Sequence, residues 1–130
     1  MSKSEYYLVI YPDGEWKWVE VTSRRQLLCR FYEVIDCDCV EHVTLPYGFG
    51  CIVDESGKLK NPPQPYNPFA SRMYPGTPYG DPLVGPVIFV RTDLVDGEYD
   101  WCPILPSDLA KIRLITGLNI DEMYTPGIDL

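Results

Sequence analysis

Cys37, Cys39 and His42 are the tightest group of metal-ligating and nucleophilic side chains in the sequence. Two thiolates and an imidazole could fill three of zinc's four positions, with Cys51 as the fourth ligand. The spacing argues against it. In an extended segment side chains alternate, so Cys37 and Cys39 share one face while His42 projects from the other. The C-x-C step is also shorter than the ligand spacing of common zinc sites. No metal or cofactor is expected. His42 is the chain's only histidine, so any His-assisted thiolate or hydroxyl chemistry must use it. No Gly-x-Ser-x-Gly elbow occurs, and the paired carboxylates Asp36/Asp38, Asp54/Glu55 and Asp121/Glu122 are what an acidic surface carries in water. No residue is assigned as catalytic, and an enzyme using His42 or a cysteine ranks last among the functions considered.

A second set of residues could meet a ligand. Gly57-Lys58 has the look of a phosphate-binding step, but the preceding glycine, Gly50, is too far back for a Walker loop and Leu59 stands where Ser or Thr should hold magnesium. The expected structure for Asp54-Glu55-Ser56-Gly57 is therefore a β-turn, with Gly57 at the position that needs positive φ. Beyond it, Tyr66, Tyr74 and Tyr79 could stack on bases while Lys58, Lys60 and Arg72 meet phosphates. Eight of the 13 prolines lie between Pro62 and Pro86, among those tyrosines. Such a stretch can be neither a central strand nor a long helix; a packed surface loop is expected.

The elements that must position these residues follow from periodicity. YYLVIY from Tyr6 and EWKWVEV from Glu15 flank Pro12-Asp13-Gly14 and predict a β-hairpin. Ser23 with Gln26 fits a capping box, and Leu27, Leu28, Phe31, Val34 and Ile35 recur at helical spacing, predicting a helix over residues 24–36. Arg24 and Arg25 in its first turn oppose the helix dipole, so they are either solvated or matched by an acidic neighbour. Residues 39–45 and GFGCIV read as strands joined at Pro46-Tyr47-Gly48. Asn67 is placed to cap a short helical turn from Pro68 to Met73. Residues 86–90, PVIFV, read as a strand. Ser107 is the expected cap of a last helix carrying Leu109, Ile112 and Ile115 on one stripe, with Gly117 as its stop.

The 130 residues, 45% hydrophobic, suit one domain, and a net charge of −8 opposes general nucleic-acid binding while favouring a partner with a basic surface. Five cysteines without a framework fit free thiols. No stretch is apolar enough to span a bilayer and no signal peptide is read, so no membrane partner and a cytoplasmic location are expected. The expected fold is a single α+β domain: a mixed, mainly antiparallel sheet of about five strands, two helices and a Pro/Tyr-rich loop over one edge.

The order of these elements, with LLxxFYEVI from Leu27, Val40-Glu41-x-Val43-x-Leu45, Ile52-x-Asp54-Glu55-x-Gly57-Lys58-Leu59, Asn67-x-x-Ala70 and Asp81-Pro82-Leu83-Val84-Gly85-Pro86-Val87, resembles a family of uncharacterised proteins, domain of unknown function 3846. The family is met mostly in phages and other bacterial mobile elements. The resemblance covers about residues 5–92, with residues 103–130 read as a helical extension. It implies no reaction, but it does imply a small accessory protein acting in a bacterial host cell. It carries over Glu41, Asp54, Glu55, Gly57, Lys58, Asn67 and Ala70 as a candidate shared surface. The expected function is a noncatalytic binding protein of phage or mobile-element origin, such as a counter-defence or anti-CRISPR inhibitor of a host defence or nucleic-acid-processing protein. The alternative is a binder of a small nucleotide signal.

Overall fold

The computed structural model describes residues 4–60, 62–76 and 80–121. Strands β1 (Glu5–Ile10) and β2 (Trp16–Val21) form the expected hairpin, in register Tyr7↔Val19 and Val9↔Lys17. Its turn closes through Gly14 at φ +91°, where an added Cβ would also stand 3.0 Å from the Phe69 ring. Strands β3 (Val40–Thr44), β4 (Phe49–Asp54), β5 (Val87–Val95) and β6 (Glu98–Cys102) complete one sheet of order β2-β1-β5-β4-β3, with β6 paired to the far half of β5. All five pairings among the described residues are antiparallel. The sheet thus has one strand more than expected, and no parallel pairing is seen there.

Alternation along the strands builds two apolar layers. On one face Tyr7, Val9, Ile52, Ile88 and Val90 meet α1 (Leu27–Ile35), which buries Leu27, Phe31 and Ile35 at steps of one helical turn. Burying each such side chain contributes roughly 1.5–3 kcal/mol. Residues 24–26 form a 3-10 turn that leads into α1, which makes the α-helix shorter than expected. Ser23 caps that turn by accepting from the Arg25 N–H at 3.2 Å, while Gln26 turns to Thr22 instead of closing a capping box. Arg24 is matched by Glu5 and Asp100, both at 2.8 Å. Asp36, at φ 61°, ends α1, its N–H bonded to the Tyr32 carbonyl.

On the opposite face Leu8, Ile10, Phe49, Cys51, Val87 and Phe89 are covered by the connection from β4 to β5 and by α3 (Pro106–Thr116). The connection contains the short helix α2 (Pro68–Ser71), capped as expected by Asn67. Helix α3 starts one residue before the expected cap. Pro106 takes the first helical position, and the Asp108 carboxylate, not Ser107, reaches back to accept the Leu105 N–H at 2.8 Å. Asp108 is itself buried beneath Arg91 of β5, whose guanidinium donates to both carboxylate oxygens.

Candidate functional site

The turn after β4 is the centre of the region that the sequence singles out, and it is built differently from the expected β-turn. Asp54 Oδ1 accepts the Ser56 N–H at 2.9 Å, and residues 57–59 then form a 3-10 turn. Gly57 does not take positive φ. What favours glycine there is space: it is buried, and an added Cβ would press on Val84 Cγ2 at 3.1 Å.

Two open clefts flank this turn. One, of about 290 Å³, brings Glu41, Asp54, Glu55, Lys58 and Tyr74 together, with Val43, Leu83 and Val84 forming its apolar wall. Lys58 is held across it by Asp81, which also accepts the Tyr74 hydroxyl at 3.1 Å. These two donors, Lys58 first, hold the Asp81 carboxyl below its ordinary pKa, and the same contact raises that of Tyr74. The other cleft, of about 340 Å³, lies against the end of α1 and is lined by Tyr32, Cys37, Cys39, Asp54 and Lys60. Asp54 Oδ2 is buried with no hydrogen bond of good direction; it is matched by the Lys60 ammonium 2.6 Å away, whose pKa that carboxylate raises.

The remaining sequence-predicted residues are not gathered here. Asn67 is fully buried in backbone contacts: its Nδ2 donates to the carbonyls of Ile10 (3.0 Å) and Gly85 (2.9 Å), and its Oδ1 accepts from the Ala70 N–H (3.0 Å). Both amide hydrogens are thereby used. Arg72 points to α3, donating to the Thr116 carbonyl at 2.8 Å and so satisfying an orphan group at that helix's end. Tyr66 is half exposed and forms an isolated bridge with Val84. Tyr79 lies outside the described residues. Lys58 and Lys60 are each matched by a carboxylate and Arg72 is turned to a carbonyl of α3, so the three cations do not converge on one phosphate position.

His42 has a neighbour that the sequence did not suggest. Its ring lies over the bare backbone of Gly50, where an added Cβ would fall 2.3 Å from Nε2, and stacks on Trp101 of β6 with centroids 5.9 Å apart. Trp101 in turn stacks on Phe31. Burial lowers the His42 pKa. The Cys37, Cys51 and Cys102 thiols are raised chiefly by burial, and that of Cys39 by its hydrogen bond to Glu55. A nucleophilic cysteine needs the opposite shift. All five cysteines are free thiols. Among the described residues no group of three His, Cys, Asp or Glu side chains is placed to hold a metal, and no helix is long and apolar enough to cross a membrane.

The β5–β6 ribbon was also missed. Its outer half extends past the strands that flank β5, and it exposes the cross-strand pair Leu94↔Tyr99 together with Asp96, Glu98 and Asp100. The available signal was Asp96-Gly97, both at positive φ in the structure, between two strand-length runs.

This architecture can be set beside known proteins. Residues 5–122 match the model of a protein family described as a domain of unknown function, DUF3846. The chain belongs to this family. The DUF3846 match runs past residue 92, where the resemblance was expected to end, and so takes in β6 and α3 as well as the turn at Asp54. No curated protein and no solved structure matches the chain.

Proposed function

We propose that this DUF3846 chain is a noncatalytic binding protein of phage or mobile-element origin that engages a host protein through that protein's basic surface. The observation that carries this reading is the charge pattern around β3 and β4. From residue 31 to 57 there are six acidic residues and no lysine or arginine, and Glu41 and Glu55 stand exposed on the cleft that Val43 floors. Acidic groups around an apolar patch steer and orient a basic partner more than they add raw affinity. A defence nuclease or another nucleic-acid-processing protein of the bacterial cytoplasm offers the complementary surface, and an inhibitor is the role such contact suits.

The test is affinity capture from host lysate with the intact chain and with a Glu41→Lys, Glu55→Lys double variant, washed at low and high salt. A stoichiometric partner that the double variant and high salt both release is the expected result. Recovery of no partner, or of one indifferent to both changes, would overturn the reading.

A small nucleotide ligand is the second reading, and it draws on one observation: Lys58 and Tyr74 do meet in one cleft. Calorimetry against cyclic and linear nucleotides decides it, since heat at a stoichiometry of one, lost in Lys58→Ala, would favour it over the protein partner. The enzyme reading draws no support from His42, which packs on Trp101 and has no hydrogen bond to a thiol among the described residues.

A further inference from the structure

Strand β3 ends the sheet, and its hydrogen bonds fix which of its backbone groups are spare. The Cys39 carbonyl accepts from the Glu55 N–H and the Leu45 N–H donates to the Phe49 carbonyl, both at 3.0 Å. In an antiparallel ladder, residues alternate between bonding inward and facing out. Positions 39, 41, 43 and 45 therefore bond to β4. Val40, His42 and Thr44 direct their N–H and C=O groups away from the sheet, and no strand among the described residues pairs with that side. Side chains alternate in the same way: Glu41 and Val43 face the cleft shared with Glu55, while His42 faces Trp101.

An open edge is a ready template for another strand, and charges placed on it decide which strands are admitted. A second copy of this chain is a poor occupant, because pairing β3 with β3 would set Glu41, in a stretch without lysine or arginine, against the same stretch of the other copy. An extended segment with a basic residue at every second position is a good one. Its backbone completes the ladder, and its cations stand over Glu41 and Glu55.

We propose that the outer edge of β3 is a strand-addition site, taking an extended lysine- or arginine-bearing segment of a protein partner against Val40, His42 and Thr44. This rests on the binding-protein reading above and names where and how that partner docks. The probe is a fluorescent heptapeptide of alternating lysine and valine, titrated by anisotropy against the full chain, beside the same peptide with alternate amides N-methylated. The unmodified peptide is expected to bind, and N-methylation to weaken it about tenfold through lost backbone hydrogen bonds. Thr44→Pro removes an outward N–H with no ladder partner, so the variant should keep its melting temperature yet lose the peptide to the same degree. Glu41→Lys should shift preference toward a glutamate-valine peptide.

Equal affinity for the methylated and unmodified peptides, or no binding by the folded chain, overturns strand addition. So does a dimer in sedimentation that Thr44→Pro dissolves, since the occupant would then be a second copy. If Thr44→Pro still captures the cellular partner at full strength, the edge is not the dock although the binding reading stands; if no partner is captured by any form, the binding reading itself fails.

Discussion

The imidazole of His42 lies nearly parallel to the indole of Trp101, 19° between planes, across a strand whose residue at that point, Gly50, has no side chain. The stack joins the edge strand β3 to the ribbon strand β6; His42 keeps part of its surface in water, and the partial desolvation of its ring against Trp101 draws the imidazole toward its neutral form. Above about pH 6.5 both folded and unfolded chains carry a neutral ring, so the contact contributes fully. As pH falls through that value the unfolded chain takes up a proton that the folded chain resists, and stability drops. Thermal melts between pH 7.5 and 5.5 should therefore fall more steeply for the native chain than for His42→Gln. Parallel curves would refute the assignment. Gly50→Ala, which forces the ring aside, should cost about 1 kcal/mol and remove the same pH dependence.

Arg91 and Asp108 couple β5 to the first turn of α3. Asp108 is 1% exposed; burial raises its carboxyl pKa, but the Arg91 guanidinium and the Leu105 N–H outweigh that and bring it below the ordinary value. Arg91→Met leaves this carboxylate buried without its cation, and about 2–4 kcal/mol of stability should be lost in urea denaturation. Because the folded pKa is depressed, the pair's contribution is present above the unfolded carboxyl value and disappears as pH falls through the folded one. Acid melts below pH 4 should therefore bring the variant and the native chain closer together.

Asn67→Ala removes three side-chain-to-backbone hydrogen bonds from a buried site and should cost about 3–5 kcal/mol. Asn67→Asp is the sharper comparison. It keeps the cap on Ala70 but turns a carboxylate oxygen toward the carbonyls of Ile10 and Gly85, so it should be at least as damaging at neutral pH. Near-native stability of either variant in urea would show that these bonds are not what fixes the connection.

Lys58 and Asp81 are both well exposed, and exposed ion pairs contribute little in water. Lys58→Met should shift the urea midpoint by less than about 0.5 kcal/mol equivalent. Leu94→Ser and Tyr99→Ser, on the exposed ribbon, should be similarly mild and leave peptide binding at β3 unchanged. A large loss from any of the three would mean that the side chain packs in a way its exposure does not reveal.

Much of this fold was readable because particular residues carried strong local signals. Trp16, Trp18, Val19 and Val21 alternate around a Pro-Asp-Gly turn, and Leu27, Phe31 and Ile35 mark one helical stripe. Asn67 before Pro68 announced a cap and is one. The failures have physical causes too. Strand β6 is polar, and its stability comes from pairing with an extension of β5 beyond residue 90, where the expected strand ended. Ser107 is a good cap by type, but a buried Asp108 already held by Arg91 was in place to bond the preceding N–H. Gly57 was explained by conformation, whereas its φ is not positive and the close approach of Val84 is what favours a residue without a side chain. At the candidate site, the grouping of Lys58 and Tyr74 was legible from proximity in sequence; the departure of Arg72 to α3 depended on a contact forty-four residues away and was not.

The place of β5 between β1 and β4 has a kinetic consequence. Each of the hairpins β1–β2 and β3–β4 can close from neighbouring sequence, yet they have no shared strand until Val87 to Arg91 arrives between them. During synthesis the two halves must wait as separate ribbons, their inner edges open, until Val87 to Arg91 have left the ribosome. Folding should therefore be slow for a chain of this size, as non-local pairing demands, and the interval before β5 inserts is when the protein is most exposed to misassociation.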